Sequence, residues 1–536
     1  SINEYPNVET CAYFDKTEVT ISGSALVIGG VYGGSESGHV VHNTLVKIQG
    51  GQIGCGEGST EAYSEEDWAA ESPIILKPTN HWTYVDDGAP YDQYADENGD
   101  YANNVSSEGG NRKATDGRSF YGNVFAGGSG YYPYAQGKWL YSAGRVAGNA
   151  ELRITGGHIL NNVYGGCEMS DVWGDAIITM SDGTVGVPRS KQEILYNPTI
   201  GHVFGAGMGD KRIFFNQVTN VENTNVTITG GRVYGSVHGG GEDGHVLTLA
   251  TTNIRGGEIG SINDGTSSGY DGNVFGGGQG SPTALTAGSV GGNVVLNIEG
   301  GTMHGSVYGG GRIASVGTFF EAMMIPDPAD PTKQIENPLY GKMQDGTDHG
   351  YITVNLKGGT IDQNVYGGCM GTRGQARVDQ VRFAVSKNVT VKLNENVADN
   401  ARGCAVKGSI FGCNNVNSSP QGQVEVHIYK TQNALASQIA GIVSGENAVQ
   451  PKVKGRYDVK AVYGGGNMAA YLPKGPNATD DDYDGQNTTF STKVIIDGCD
   501  RTSIQQVYGG GNAASTQATE VTVNCAFEID ELFGGG

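Results

Sequence analysis

The chain carries one short motif twelve times: a hydrophobic–aromatic pair, or a close variant of it, that runs into a glycine cluster. Internal repeats spaced by tens of residues are typical of solenoids, propellers and other arrays. The repeat therefore predicts a stacked architecture and directs attention away from a single active site. The tracts are VYGG (31–34), VFAGG (124–128), VYGGC (163–167), VFGAG (203–207), VHGGG (237–241), VFGGG (274–278), VYGGG (307–311), VYGGC (365–369), IFGC (410–413), VYGGG (462–466), VYGGG (507–511) and LFGGG (532–536).

An alternating strand pattern that ends in Gly-Gly precedes four of these tracts: LRITGG (152–157), VTITGG (226–231), LNIEGG (296–301) and VNLKGG (354–359). In these units the first glycine of the pair lies seven residues before the valine of the next tract. A constant spacing inside a variable period predicts one structural unit joined by loops of variable length. We expect a strand, a Gly-Gly turn, a short strand, the aromatic tract, a glycine turn and a loop.

The alternation gives each strand one apolar face, which a single strand cannot bury alone. Stacking successive coils as parallel strands, about 4.8 Å apart, buries these faces in a continuous interior. We therefore predict an all-β fold, a parallel β-solenoid (β-helix) of about a dozen coils that runs through residues 1–536 as one domain. Parallel crossovers are nearly always right-handed, so the same hand is expected here. A propeller is disfavoured because the shortest period, Val507 to Leu532, is 25 residues and a four-stranded blade needs about 40.

Stacked coils would place the aromatic residues of the tracts in one ladder, where offset ring stacking is favourable. A structural ladder is the favoured interpretation, and a sugar-binding aromatic strip is the alternative. The predicted ladder is Tyr32, Phe125, Tyr164, Phe204, Phe275, Tyr308, Tyr366, Phe411, Tyr463, Tyr508 and Phe533, with His238 at the remaining tract.

Loop insertions are predicted at about 57–119, 129–149, 318–350, 430–457 and 470–491. Loops on a rigid scaffold are where binding functions usually lie. The second insertion holds an aromatic cluster that suits the apolar faces of glycans or a protein contact, although packing over the solenoid flank is the simpler interpretation. The cluster is Tyr131, Tyr132, Tyr134, Trp139 and Tyr141.

Two acidic loops have the spacing of calcium ligands. In the first, Asp480, Asp482 and Asp484 are followed by Gly485, which matches the first half of an EF-hand loop. The twelfth position is Ser491, where that loop needs a bidentate glutamate. Calcium is thus a possible cofactor, and a solvated acidic loop is the alternative. A weaker match is formed by Asp96, Asn98 and Asp100.

The eight cysteines form no Cys-x2-Cys zinc pattern. Cys499 and Cys525 lie near the same turn of consecutive coils, so we expect a disulfide between them. Cys404 with Cys413, or Cys369 with Cys413, are further candidate pairs. The alternative for each is a buried free thiol that packs as a small hydrophobic side chain.

The net charge of −22 disfavours nucleic-acid partners and anionic membrane surfaces, and no run is apolar enough to insert into a membrane. The nucleophile, metalloprotease and phosphate-loop motifs are missing from the sequence. Outward charges such as Glu151, Arg153, Glu299 and Lys357 do not suggest one catalytic neighbourhood. We therefore expect no enzyme activity, with a β-helix polysaccharide lyase or hydrolase as the least favoured alternative.

The last tract, LFGGG, stops inside the repeat without a polar capping coil. Open strand edges are usually covered in natural proteins. We expect either that the native chain continues past Gly536 or that another subunit docks there.

The VYGGG and V-x-I-x-GG units resemble the large glycine-punctuated β-solenoid proteins of bacterial cell surfaces, including those of gut anaerobes. The resemblance covers nearly the whole chain from about Val19, apart from the insertions. It implies an extracellular adhesin, stalk or fibre, and it supplies no catalytic residues. The expected function is a structural rod or fibre segment that is part of a longer chain or assembles end to end. A glycan-binding adhesin is the alternative, with glycans or a host or bacterial surface as its partner.

Overall fold

A computed structural model describes residues 12–56, 60–64, 66–67, 122–130, 142–188, 201–211, 213–261, 272–318, 324–327, 330–336, 348–372, 383–398, 401, 403–431, 455–473 and 490–536. Every element assigned within these residues is a β-strand. The strands up to residue 233 are β1 (Tyr13–Phe14), β2 (Thr17–Ile21), β3 (Leu26–Val27), β4 (Val31–Tyr32), β5 (His39–Val40), β6 (Thr44–Ile53), β7 (Val124–Phe125), β8 (Ala150–Ile159), β9 (Val163–Tyr164), β10 (Ala176–Val185), β11 (Val203–Phe204), β12 (Asn220–Ile228) and β13 (Arg232–Val233).

The remaining strands continue the same alternation of long and short elements. They are β14 (Val237–His238), β15 (His245–Ile259), β16 (Val274–Phe275), β17 (Asn293–Met303), β18 (Val307–Tyr308), β19 (Met324–Asp327), β20 (Asp330–Glu336), β21 (Ile352–Ile361), β22 (Val365–Tyr366), β23 (Val389–Leu393), β24 (Ala405–Val406), β25 (Ile410–Phe411), β26 (Val424–Ile428), β27 (Val459–Tyr463), β28 (Thr492–Ile496), β29 (Cys499–Tyr508), β30 (Thr519–Val523) and β31 (Ala526–Phe533).

Two long parallel sheets dominate the architecture. The first has 15 strands, and its main path follows β2-β6-β8-β10-β12-β15-β17-β21-β23-β26-β28-β30. The second has 12 strands in the order β31-β29-β27-β25-β22-β18-β16-β14-β11-β9-β7-β4, so it contains every aromatic tract. Because each sheet advances along the chain in step with the other, the described structure is an all-β, solenoid-like stack of parallel coils.

A third side of the stack is formed by isolated bridges between single residues. Its valines pair in parallel from coil to coil and are almost completely buried: Val40, Val146, Val172, Val221, Val246, Val290 and Val316. Each coil here therefore has three sides around one apolar interior. This valine column was not predicted, because one valine in a short irregular segment has no periodicity of its own.

The strands form because their apolar residues alternate. In β17, Val294, Leu296 and Ile298 are at most 1% exposed and point inward, whereas Asn297 between them points outward. The same inward positions are repeated in the paired strands, for example Ile298 opposite Leu356. Stacking therefore turns one alternating strand into a continuous hydrophobic core.

One of the four Gly-Gly pairs, Gly230–Gly231, separates two strands as predicted, β12 and β13, whereas the other three lie inside continuous strands. We expected a turn between two strands, but in β17 Gly300 and Gly301 lie inside one continuous strand, at a shift of register against its neighbours. Gly301 has φ +78°, a left-handed conformation that favours glycine. The pair therefore acts as a β-bulge that bends the strand while the pairing continues on both sides.

The insertions lie largely outside the described residues. Within the insertion predicted at 318–350, β19 and β20 form an antiparallel two-stranded sheet apart from the two long sheets. This pairing is consistent with an excursion from the stack, since the coils themselves pair in parallel.

Candidate functional site: the stacked columns and the ends of the coil stack

The aromatic residues of the twelve tracts form one uninterrupted column. Successive ring centroids lie 4.6–5.1 Å apart with interplanar angles of 4–20°. His238 stacks between Phe204 and Phe275, so the column continues through the one tract that carries an imidazole in place of a Tyr or Phe ring. The interior rings are buried, which favours a structural column over an open sugar-binding strip.

The residue after the ring is glycine in eleven of the twelve tracts, and in all of these except the last the neighbouring coil leaves little room for a side chain. A Cβ atom on Gly309 would lie under 3.0 Å from the carbonyl oxygen of Gly367, closer than real Cβ atoms come to other atoms. A Cβ atom on Gly276 would likewise lie under 3.0 Å from the carbonyl oxygen of Gly309. Because the conflict comes from the backbone of the next coil, this glycine marks a position where another coil is stacked.

A polar column that was not predicted runs beside the rings, on the residue that precedes eight of the twelve tracts. A side-chain oxygen or nitrogen of one coil accepts a hydrogen bond from the backbone N–H of the corresponding residue in the next coil, at 2.8–3.3 Å. The members in order are Asn123, Asn162, His202, Ser236, Asn273, Ser306, Asn364 and Ser409. The recurrence of Asn, Ser or His before the tracts is the sequence signal that could have revealed this column.

Buried carboxylates accept hydrogen bonds from two of the stacked tyrosines. The Tyr32 hydroxyl donates to Glu168 at 2.7 Å, and the Tyr164 hydroxyl donates to Glu242 at 2.6 Å. Both glutamates are 3% exposed. Burial, followed by the charge of Glu168, holds the pKa of Tyr32 well above its ordinary value of 10. These contacts link each ring to a residue two coils away and are consistent with a role in stacking.

A further column is ionic, and its five members come from five successive coils. Arg232 donates to Glu258 at 2.8 Å, and His304 lies between Glu258 and Asp362 with 2.7 Å from one ring nitrogen to each carboxylate. Lys407 contacts Asp362 at 2.6 Å. Each of the two carboxylates therefore lies between basic side chains from the coils before and after it.

Three of the outward charges, Glu151, Arg153 and Glu299, also form ion pairs. Arg153 lies 2.6 Å from Glu151, and Arg255 of the preceding coil lies 2.8 Å from Glu299. The structure does not bring Glu151 and Glu299 into one neighbourhood, since they belong to β8 and β17. Their contacts are those of charged residues on a solvated face.

Cys499 and Cys525 form a disulfide across a sequence separation of 26, with Cα atoms 4.4 Å apart. It joins the start of β29 to the residue before β31, so it ties the terminal coil to the coil beneath it.

The other proposed cysteine pairs need correction, because Cys369, Cys404 and Cys413 are free and buried. The thiols of Cys369 and Cys413 point to the carbonyls of Ala314 and Gly464, and the Cys404 N–H donates to Asn394. Burial raises the pKa of Cys369 and of Cys404 to about 12, so these thiols stay protonated and pack as small apolar side chains.

The remaining predicted site residues lie outside the described residues: Tyr131, Tyr132, Tyr134, Trp139 and Tyr141 of the aromatic insertion, and Asp96, Asn98, Asp100, Asp480, Asp482 and Asp484 of the acidic loops. Within the described part of the chain, no three His, Cys, Asp or Glu side chains are grouped so that they could hold a metal ion. The same residues include no helix with the length and apolar character needed to cross a membrane.

The first and last described coils expose apolar side chains that interior coils bury. At the first coil, Tyr13 and Phe14 are 56% and 46% exposed. At the last coil, Val523, Leu532 and Phe533 are 41–49% exposed. These residues belong to β1, β30 and β31, and β30 and β31 are each the terminal strand of a long sheet. Among the described residues, these side chains therefore have a neighbouring coil on one side only.

No protein-family model, curated protein or solved structure matches this chain.

Proposed function

We propose that the chain is a rigid structural segment of an extracellular rod or fibre at a bacterial surface. In this proposal the stack is a right-handed parallel β-solenoid of about a dozen coils, on the order of 50–60 Å along its axis. It belongs to a longer polypeptide or assembles end to end.

The observation that carries this proposal is the unbroken ring column. Its centroid spacing stays within 4.6–5.1 Å although the insertions between tracts vary widely in length. The long sheets bond adjacent coils through the backbone, and the polar column adds side-chain hydrogen bonds along the same axis from Asn123 to Ser409. A scaffold whose geometry is kept constant while its loops vary is suited to bearing load and presenting loops.

The charge distribution supports the same role. With a net charge of −22, the surface repels copies of itself laterally and stays soluble outside the cell. On the outward face, Glu151, Arg153 and Glu299 lie in ion pairs, so these three residues do not supply a free acid and a free base for catalysis. We therefore propose that the chain has no catalytic activity.

Electron microscopy of the native material that contains this chain tests the proposal. We expect stalks or fibres whose diffraction shows a repeat of about 4.8 Å along the axis. Isolated particles without this repeat would contradict a fibre. If such particles bound an immobilised glycan panel, and lost binding when residues 129–149 were replaced by a short Gly-Ser linker, a glycan-binding adhesin would be the better assignment.

A further inference from the structure

Trp173 is a large aromatic side chain that lies uncovered on the third side of the stack. It is 58% exposed, although it belongs to an interior coil whose valine, Val172, is 1% exposed and pairs with Val146 and Val221 of the coils on either side. The Trp173 N–H donates to the carbonyl of Val146 at 2.9 Å, so the backbone fixes its position. Its exposure is therefore a property of this interior coil, unlike that of the side chains in the first and last described coils.

Arg145 of the preceding coil orients the Trp173 ring. The guanidinium carbon lies over one face of the indole, 4.5 Å from the ring centre. Such a cation–π contact favours one orientation of the indole and covers one of its two faces. The Nε of Arg145 is buried and makes no hydrogen bond among the described residues, so the stacking on Trp173 is the contact that positions this guanidinium.

A carboxylate flanks the ring on the side of the following coil. Glu222 follows Val221 as Trp173 follows Val172, and its N–H donates to the carbonyl of Gly174 at 3.0 Å. The Thr248 hydroxyl donates to one carboxylate oxygen of Glu222 at 2.6 Å, which orients the group. Since a carboxylate has two oxygens and about four acceptor positions, Glu222 keeps the capacity to accept further hydrogen bonds.

The surface on the other side of the ring is apolar and short. Ala147 follows Val146 in the same column, and Val41, one coil further, is 42% exposed. The strip from Val41 to Trp173 covers three coils, or about 10 Å at ~4.8 Å for each step between coils. A stable protein interface needs about 800 Å² on each partner. A strip of this length therefore suits a small ligand better than a folded protein.

We infer that Trp173, Arg145 and Glu222 form a binding site for a neutral pyranose sugar. A pyranose has an apolar face of C–H groups with hydroxyl groups around its edge. The open face of the Trp173 indole would stack on the C–H face of the sugar, the Arg145 guanidinium would donate to one hydroxyl, and Glu222 would accept from another. The site adds a binding function to the structural role and does not depend on fibre formation.

The charges near the site favour a neutral sugar over an acidic one. Glu222 lies beside the ring, and Asp171, which is 9% exposed, precedes Val172 in the same coil. One guanidinium thus stands against two carboxyl groups, in a chain with a net charge of −22. A carboxylate on the ligand would be repelled by this surface.

The site is tested by titrating the full chain with methyl β-glucoside, methyl β-galactoside and methyl α-mannoside while tryptophan fluorescence is recorded. At least one of these neutral glycosides is expected to change the emission saturably, with a Kd on the order of 1–10 mM. Glucuronate, which adds a carboxylate to the same kind of ring, should bind on the order of threefold more weakly than methyl β-glucoside. The chain has four tryptophans, so the signal is assigned by substitution.

The variants are compared by saturation-transfer NMR, which does not need the indole as a reporter. Trp173→Ala should weaken binding about tenfold or more, because it removes the stacking surface. Arg145→Lys keeps the charge but loses the planar stacking group, and it should weaken binding on the order of threefold. Phe214→Ala removes another exposed aromatic side chain, 48% exposed, and is the control that should leave the Kd unchanged. Each variant should keep the wild-type melting temperature, since these side chains lie at the surface.

Laminarin, a soluble neutral glucan, distinguishes the two sources of such a sugar. Tighter binding of laminarin than of methyl β-glucoside indicates a polysaccharide that lies along the strip from Val41 to Trp173, and equal affinity per chain end indicates a terminal sugar. Both results require that Trp173→Ala weakens binding.

The inference is overturned if none of the glycosides and no laminarin binds saturably up to the solubility limit. Sugar binding that is unchanged in Trp173→Ala would place the sugar elsewhere on the chain, and glucuronate that binds more tightly than the neutral glycosides would overturn the ligand class. If no sugar binds and Trp173→Ala instead weakens self-association in sedimentation velocity, the surface is a protein contact. None of these results bears on the structural function, which electron microscopy tests separately.

Discussion

At the scale of the residue, His238 is the place where the ring column is chemically different. It is buried between Phe204 and Phe275, and its Nδ1 accepts or donates no hydrogen bond among the described residues. Burial, and then the neighbouring His202 and Arg312, hold the pKa of His238 well below its ordinary value of 6.5. The folded protein therefore keeps this imidazole neutral under conditions where the unfolded chain protonates it.

The consequence is a loss of stability in acid. The unfolded chain binds the extra proton at His238. The contribution of this residue to the free energy of unfolding is therefore fully present above pH 6.5 and falls as the pH drops below that value. The variant His238→Phe should lose less stability as the pH falls below 6.5. The free energy of unfolding of wild type should fall relative to that of the variant by on the order of 1 kcal/mol per pH unit. Thermal unfolding of both proteins on either side of pH 6.5 checks this, with Phe275→Tyr as a control that adds no group titrating in acid. Equal pH profiles for wild type and His238→Phe would contradict the prediction.

At the scale of the element, His304 is the link of the ionic column, because it bridges carboxylates from the coils before and after it. Its side chain is 8% exposed, whereas that of Lys407 at the end of the same column is 64% exposed. We expect His304→Ala to lower the free energy of unfolding by about 1–3 kcal/mol, since it removes two hydrogen bonds to charged groups. Lys407→Ala should cost about 0–1 kcal/mol, as exposed ion pairs do. Urea denaturation measures the free energy of unfolding of both variants. Equal losses of this free energy would show that the His304 bridge contributes no more than an exposed ion pair.

The elements also show which features a sequence can reveal. The tracts predicted the ring column because Tyr308 and its counterparts stand at a constant distance from a glycine pair. The ionic column could not be predicted, since Glu258, His304 and Asp362 meet only when the register of three coils joined by segments of unequal length is known. The valine column was missed because Val146 and Val290 each stand alone between glycine-rich turns. What repeats along the sequence was predictable, and what aligns only across coils was not.

At the scale of the whole molecule, stability should vary along the axis. Interior core residues such as Leu296 are completely buried, whereas Val19 and Val521 of the terminal strands are only partly buried. Stacked repeats draw their stability from contacts with adjacent coils, so a coil with one neighbour opens more readily. Hydrogen exchange should be fastest in β2 and β30 and slowest in β15, β17 and β21.

This measurement is best made at one low protein concentration, so that contacts between molecules do not protect the ends. Reduction of the Cys499–Cys525 disulfide should speed exchange within residues 499–536 and leave the middle of the stack unchanged. Uniform exchange along the chain would contradict an axis with weaker ends and would indicate a single cooperative unit.

The direction of the backbone hydrogen bonds has a mechanical consequence. In both long sheets these bonds run from coil to coil, and so lie along the axis of the stack. Bending or compressing the stack presses coils together that are already in contact, whereas tension applied at its two ends loads one junction at a time. A pulled molecule should therefore peel from an end in small steps. The Cys499–Cys525 disulfide joins the last two coils covalently, and so moves the point of first rupture inward from that end.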